Sequence, residues 1–189
     1  MGQRRRREVR TTVTVEDQVI LVDENDRRIG IASKMETHRT GALHRAFSVF
    51  VFNSDGDLLL QQRADGKYHS GGLWTNTCCS HPRPGEPTAE AARRRLKEEM
   101  GIACELDEIF SFIYHADLDD GLAEHEYDHV FVGTCDTDPT PDPREVRDWR
   151  WVNTDALRQD LDQHPERYTF WFKAVFDQVL AHVERSPGP

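Results

Sequence analysis

Short apolar runs broken by polar turns dominate the first half of the chain, the pattern of strands rather than of helices. It predicts strands over 17–23, 28–33, 45–52 and 57–63. Glu24-Asn25-Asp26 turns the first pair, and Asn53-Ser54-Asp55-Gly56 closes the second as a hairpin. After Arg63 the runs give way to the polar, glycine-rich stretch 64–72, a loop of a length that is often functional. The period then changes. Behind Pro87 and Thr88, the residues Ala89, Ala92, Leu96 and Met100 recur at helical spacing, and Gly101 is placed to end the helix. Two further strands, 105–115 and 126–135, flank an acidic turn at 117–121. A proline-containing connection over 136–144 leads to a strand over 146–153. A short helix capped by Thr154 and a final amphipathic helix, from a Thr169 cap to about Glu184, complete the chain. This order gives an α+β fold, a mixed β-sheet with helices on its faces.

At 189 residues without an internal repeat, the chain fits one domain. No apolar run is long enough to span a bilayer. Residues 1–10 carry Arg4, Arg5, Arg6, Arg7 and Arg10 with no apolar segment behind them. They read as a disordered basic tail rather than a secretory signal, and the protein is expected in the cytoplasm. The formal net charge of −10, from 24 Lys and Arg against 34 Asp and Glu, argues against a nucleic-acid partner, because neutralising phosphates needs a basic stripe. An anionic ligand must then be held by a few placed cations rather than by the overall field. Cys78, Cys79, Cys104 and Cys135 form no C-x-x-C pair, which points to thiol chemistry or plain burial and not to a disulfide framework.

Three histidines stand out by context: His38 and His44 ahead of the 45–52 strand, and His81 in Cys79-Ser80-His81-Pro82. Glu124 and Glu126 are two apart, so in an extended segment both carboxylates project from one face. Such a pair is costly unless a cation or a proton sits between the two. Three imidazoles and two carboxylates suit Zn, Mn or Fe better than Mg alone. The competing reading is a solvated strand face beside the acidic turn, and local sequence leaves both open. Cys79 lies two residues before His81, so in an extended loop thiol and imidazole could share a face. A nearby cation would make that thiolate available as base or nucleophile, and burial would silence it.

Over 80–102, Glu86, Arg94, Glu98, Glu99, Gly101 and Ile102 fall on the Nudix spacing: glycine, five residues, Glu, seven residues, Arg-Glu-apolar-X-Glu-Glu-X-Gly-apolar. Glu98 and Glu99 sit near the end of the helix, where carboxylates can hold Mg²⁺ against a diphosphate. Ser80 replaces the opening glycine, and Arg95 replaces a Glu that a Nudix hydrolase uses in its metal cluster. With those departures, and with Trp74-Thr75-Asn76, Cys79-Ser80-His81-Pro82, Gly85-Glu86, Glu124-His125-Glu126 and His44-Arg45-Ala46-Phe47-Ser48 in place, the chain resembles the type I isopentenyl-diphosphate delta-isomerases. The resemblance runs from about Asp17 to Trp171.

It implies a Nudix-like fold for residues 11–189 and interconversion of isopentenyl and dimethylallyl diphosphates in isoprenoid biosynthesis. It also implies one Mn²⁺ or Zn²⁺ on His38, His44, His81, Glu124 and Glu126. A Mg²⁺ travelling with the diphosphate would lie by Glu99 and the backbone carbonyl of Cys79. Lys34, Arg63, Lys67 and Arg95 match the positions that present cations to the diphosphate. Glu126, near Tyr114, is the implied acid and Cys79 the implied base, and the ring of Trp171 would face the cationic intermediate. Two rivals stand beside this: a Nudix pyrophosphohydrolase of a nucleoside diphosphate derivative, and a catalytically silent, metal-stabilised binding module.

Overall fold

A computed structural model describes residues 17–118 and 121–185. The expected tail at 1–10 and the tip of the acidic turn lie outside the described residues. The elements are β1 (Gln18–Val22), β2 (Arg28–Ser33), α1 (Lys34–Thr40), β3 (His44–Phe52), β4 (Leu58–Arg63), β5 (Trp74–Thr75), β6 (Cys78–Ser80) and α2 (Thr88–Met100), then β7 (Leu106–Asp117), β8 (Ala123–Thr134), β9 (Val146–Val152), α3 (Thr154–Gln163) and α4 (Phe170–Val183). The mixed sheet with helices on both faces is the architecture the element order predicts.

β3 organises the sheet. It runs parallel to β8 over its whole length, from His44 opposite Glu126 to Phe52 opposite Thr134, and antiparallel to β6, with Ser48 opposite Cys79. Helices cover both faces of the sheet at this central strand, which is why His44–Phe52 reads as a near-continuous apolar run. Its side chains divide by parity. Val49 and Val51, with Leu59 of β4, pack on Ala92, Leu96 and Met100 of α2. Phe50 and Phe52, with Leu58 and Leu60, pack on Leu157 of α3 and on Phe172, Val175 and Phe176 of α4. Each such side chain contributes about 1.5–3 kcal/mol on burial, so a one-residue slip, which exchanges the two faces, is strongly disfavoured.

Several boundaries differ from expectation for local reasons. The helix α1 was not predicted: Ser33 caps it, its Oγ accepting from the Glu36 amide at 3.3 Å, and Gly41 ends it in the left-handed region at φ 65°. β8 begins at Ala123 rather than at 126, because β7 pairs with it as far as Asp117 opposite Ala123. The cap of α3 is Asn153, whose side chain accepts from the amides of Asp155 and Ala156, and not Thr154. Thr169 stands at the start of α4 without capping it. Its hydroxyl instead meets Thr75 Oγ1 at 2.8 Å, and its amide donates to the Trp74 carbonyl at 3.0 Å, tying α4 to β5. Gly101 ends α2 as expected, at φ 71°, where a Cβ would stand 2.5 Å from the Thr140 carbonyl oxygen.

Candidate active site

Every site residue named from the sequence, apart from His38 and His44, lines one cavity of about 600 Å³. Those two are fully buried and complete a cluster with His81, Glu124 and Glu126 in which one ligand atom from each lies within 4.8 Å of the others. The topology makes the cluster. β3 and β8 bring His44 against Glu126, α1 carries His38, and β6 delivers His81 just past its end. The two-residue alternation of β8 turns Glu124, Glu126 and Asp128 inward together.

The hydrogen bonds decide what this cluster can hold. His38 Nδ1 lies 2.6 Å from the Lys34 carbonyl oxygen and His44 Nδ1 lies 2.9 Å from that of Ala42. A carbonyl only accepts, so both Nδ1 atoms carry the hydrogen, and Nε2 of each neutral ring is a lone pair. Those lone pairs converge on the cluster: His38 Nε2 is 3.1 Å from Glu124 Oε2 and 3.2 Å from the Tyr68 hydroxyl, and His44 Nε2 is 3.1 Å from His81 Nε2 and 3.5 Å from Glu126 Oε1. Glu124 Oε2 is buried without a hydrogen bond. A lone pair facing a carboxylate oxygen, as His38 Nε2 faces Glu124 Oε2, is repelled unless positive charge lies between the two. The residues fit a divalent ion held by imidazole nitrogens and carboxylate oxygens.

The ionisation of the cluster points the same way. Burial works against an imidazolium at His38, but the Glu124 carboxylate outweighs it and raises the proton affinity of that ring. Burial and then the Lys34 ammonium drive His81 down to about 3, so it stays neutral. Burial opposes the anionic form of Glu126, yet the surrounding imidazoles hold its carboxyl well below the usual range. Tyr114, opposite it on β7, donates to Glu126 Oε2 at 2.6 Å.

In the same cavity, burial pushes the Cys79 thiol up to about 12, with the Arg63 guanidinium pulling the other way. The expected thiolate is therefore a thiol when only the protein's own charges act on it. Arg63 NH1 lies 4.0 Å from the sulfur, and the guanidinium also stands 5.3 Å from the centre of the Trp171 ring.

The four cations differ. Lys34 and Arg63 form no ion pair among the described residues. Lys67 is paired with Glu145, and Arg95 spans Glu98 at 2.8 Å, Glu99 at 2.5 Å and Glu145 at 3.3 Å. Arg95 is thus committed to carboxylates as well as facing the cavity.

Sequence reasoning missed three residues here. His69, in the glycine-rich loop, sets its Nε2 2.8 Å from Glu124 Oε1. Asp128 accepts from Ser48 Oγ at 2.8 Å, and burial followed by the Glu126 charge pushes its carboxyl well up. The same alternation that singled out Glu124 and Glu126 extends to Asp128 and could have found it. Nothing local marks His69 or Glu145, whose partners lie far away in the chain.

A family model described as the NUDIX domain matches residues 42–172. A protein of Aromatoleum aromaticum named isopentenyl-diphosphate Delta-isomerase 1 is 60% identical over 167 residues, covering 88% of this chain and 94% of its own. The chain belongs to the isopentenyl-diphosphate delta-isomerase family. A further isopentenyl-diphosphate Delta-isomerase, from Burkholderia multivorans, is 51% identical over 165 residues, 87% of this chain and 94% of its own. Among solved structures, DR0079 from Deinococcus radiodurans aligns with a TM-score of 0.65 at 19% identity, over 78% of this chain and 90% of that one, which shows the shared Nudix fold. Of the cluster residues, His44, His81, Glu124 and Glu126 fall within residues 42–172 and His38 lies just ahead of them.

Proposed function

We propose that this chain interconverts isopentenyl diphosphate and dimethylallyl diphosphate, by adding a proton at one carbon and removing one from another through a tertiary carbocation. The observation that carries this is the presence of Cys79 and Glu126 in one cavity, beside a cation-holding cluster, in a chain 60% identical to a named isomerase. In the forward direction the Glu126 carboxyl gives its proton to C4 and the Cys79 thiolate takes one from C2, which moves the double bond inward. In reverse the Cys79 thiol protonates C2 and the Glu126 carboxylate accepts from C4. The protein's own charges favour thiol and carboxylate, the pair poised for the reverse step. Each forward turnover also ends in that pair, so protons return through solvent before the next.

Held by His38, His44, His81, Glu124 and Glu126, a Mn²⁺ or Zn²⁺ would supply positive charge that makes the Glu126 carboxyl a stronger acid, and a Mg²⁺ held by Glu99 and the carbonyl of Cys79 would supply charge to screen the diphosphate. The chain's own residues do the rest. Lys34 and Arg63, without carboxylate partners among the described residues, anchor the diphosphate, with Lys67 and Arg95 at its flank. Tyr114 holds the orientation of Glu126 through its 2.6 Å hydrogen bond. The ring of Trp171, carried on α4, closes the cavity and offers an electron-rich face to the cation, an interaction worth about 2 kcal/mol when water is excluded. Water must be kept out, since it would trap the cation as an alcohol.

The same reading takes residues 11–189 as one unit acting in the cytoplasm on a small-molecule diphosphate, with neither nucleic acid nor membrane as partner. No described helix is long and apolar enough to cross a membrane. The pyrophosphohydrolase alternative is disfavoured by Arg95, which lies among the carboxylates that such an enzyme would need for metal. The test is incubation of the purified protein with isopentenyl diphosphate and Mg²⁺ in D₂O. Dimethylallyl diphosphate carrying deuterium in a methyl group is expected, and Cys79→Ala should yield none. Release of inorganic phosphate without isomerised product would refute the proposal.

A further inference from the structure

The glycine-rich loop 64–72 is anchored at both ends of its neck. The amides of Arg63 and Gly72 bond to the carbonyls of Leu73 and Arg63 at 2.9 and 3.0 Å, and the Ala64 amide bonds to the Glu145 carbonyl at 2.9 Å. From this loop His69 reaches inward and is buried. Its Nε2 lies 2.8 Å from Glu124 Oε1 and its Nδ1 lies 3.2 Å from Ser70 Oγ. A carboxylate oxygen only accepts, so Nε2 carries the hydrogen, and the Ser70 hydroxyl donates to Nδ1 of the neutral ring. The ring is fixed on three sides. It stacks with His38 at 5.9 Å between centres and 28°, and it meets the rings of Tyr68 and Trp171 edge to face at 4.3 and 5.9 Å. Its backbone carbonyl accepts from Arg63 NH2 at 3.2 Å.

His69 is not one of the five cluster ligands. It binds the oxygen of Glu124 that those ligands leave alone. Oε1 is taken by His69, while Oε2, without a hydrogen bond, faces His38 Nε2. A carboxylate free to rotate would present either oxygen. One held at Oε1 by a rigid donor presents Oε2 only.

We propose that His69 is a positioning residue for the metal site: its Nε2–H holds Glu124 so that Oε2 is aimed into the His/Glu cluster. This rests on the reading of that cluster as a divalent-metal site. The loop that supplies His69 to the cluster also carries Lys67, and both residues line the cavity. Outer partners of this kind commonly contribute about 10- to 100-fold in metal affinity.

The experiment measures Mn²⁺ and Zn²⁺ affinity of the purified full chain by chelator competition, for the wild type, His69→Ala, His69→Gln and Glu124→Gln. His69→Ala is expected to weaken binding by about 10- to 100-fold, and His69→Gln, whose amide N–H can reach the same oxygen, to stay within about threefold of the wild type. Glu124→Gln reports on the metal-site reading itself. If Glu124→Gln weakens binding and His69→Ala does not, the proposal is overturned and the metal site stands. Equal losses in His69→Ala and His69→Gln also overturn it, because the donated hydrogen bond is then not what matters. A wild-type protein that takes up neither ion overturns the metal-site reading and this proposal together.

Discussion

Glu126→Gln tests the proposed proton transfers with little change of shape, at a residue that also belongs to the His/Glu cluster. The change keeps shape and removes one charge. On the structural side, Glu126 accepts from Tyr114 at 2.6 Å, has His81 Nε2 at 2.9 Å from Oε1, and shares its strand face with Glu124 and Asp128. The Gln oxygen can still accept from Tyr114. The bond weakens from charge-assisted to neutral, a loss of about 1–1.5 kcal/mol. Against this, the substitution removes a buried anion whose charge helps to push the Asp128 carboxyl up. These contributions oppose each other, so the net change in stability is expected within about 1 kcal/mol, or roughly 2–4 °C in melting temperature for a chain of this length. On the chemical side, an amide can neither give nor take the C4 proton, and losing a positioned acid or base costs about 10²- to 10⁴-fold, or about 3–5 kcal/mol in the barrier. The assay is conversion of isopentenyl diphosphate followed by proton NMR with Mg²⁺ and Mn²⁺ in excess, beside a thermal melt. A variant that melts like the wild type and isomerises within tenfold of its rate would remove Glu126 from the proton transfers.

Glu99→Gln should raise the Mg²⁺ concentration needed for half-maximal rate by about tenfold, the equivalent of about 1.4 kcal/mol, because it removes an anionic oxygen beside the diphosphate region; an unchanged Mg²⁺ titration would argue that Glu99 holds only Arg95. Glu86 makes a two-pronged pair with Arg94, at 2.7 and 2.8 Å, and its carboxyl is lowered by those hydrogen bonds against some burial. Glu86→Gln should therefore cost about 2 kcal/mol of stability at neutral pH. A lowered carboxyl contributes stability above its unfolded value near 4.5 and loses it as pH falls through the folded value. The gap between variant and wild type should accordingly close in acid, and denaturant melts showing a gap that is constant or widens from pH 7 to pH 3 would contradict this.

The sheet was legible because its strands are short apolar runs between turns, and the helix α2 because its alanines, Leu96 and Met100 keep a helical period. What escaped was set by tertiary pairing or by size. Residues 123–125 look like part of a polar turn, yet they are strand because β7 continues to pair with them. The two- and three-residue strands β5 and β6 are too short to show a period, and α1 has seven residues, although Ser33, Glu36 and Gly41 are a usable start and stop. In the site, the motif residues could be named from their likeness to a family. His69 and Glu145 could not, since each acts on a partner more than fifty positions away, Glu124 and Lys67 respectively, and no local pattern records such a distance.

The cavity's charges also suggest why a Nudix fold here would move protons rather than cleave a diphosphate. Position 95 carries Arg where the hydrolase pattern has Glu, and the guanidinium draws Glu98, Glu99 and Glu145 onto itself. Substituting Arg for Glu changes the local charge by two units at the place where a hydrolase gathers metal ions to activate water. Fewer cations can then collect there, while Lys34 and Arg63, with no carboxylate of their own among the described residues, remain to grip the anion. On the proposed reading the diphosphate is held but not attacked. Its hydrocarbon end, on the same reading, lies by the Cys79 sulfur, 4.0 Å from Arg63 NH1, and by the Glu126 carboxylate, which accepts from Tyr114. Arg95 is thus proposed to disfavour hydrolysis and to leave the binding energy of the anion available to position carbon for proton transfer.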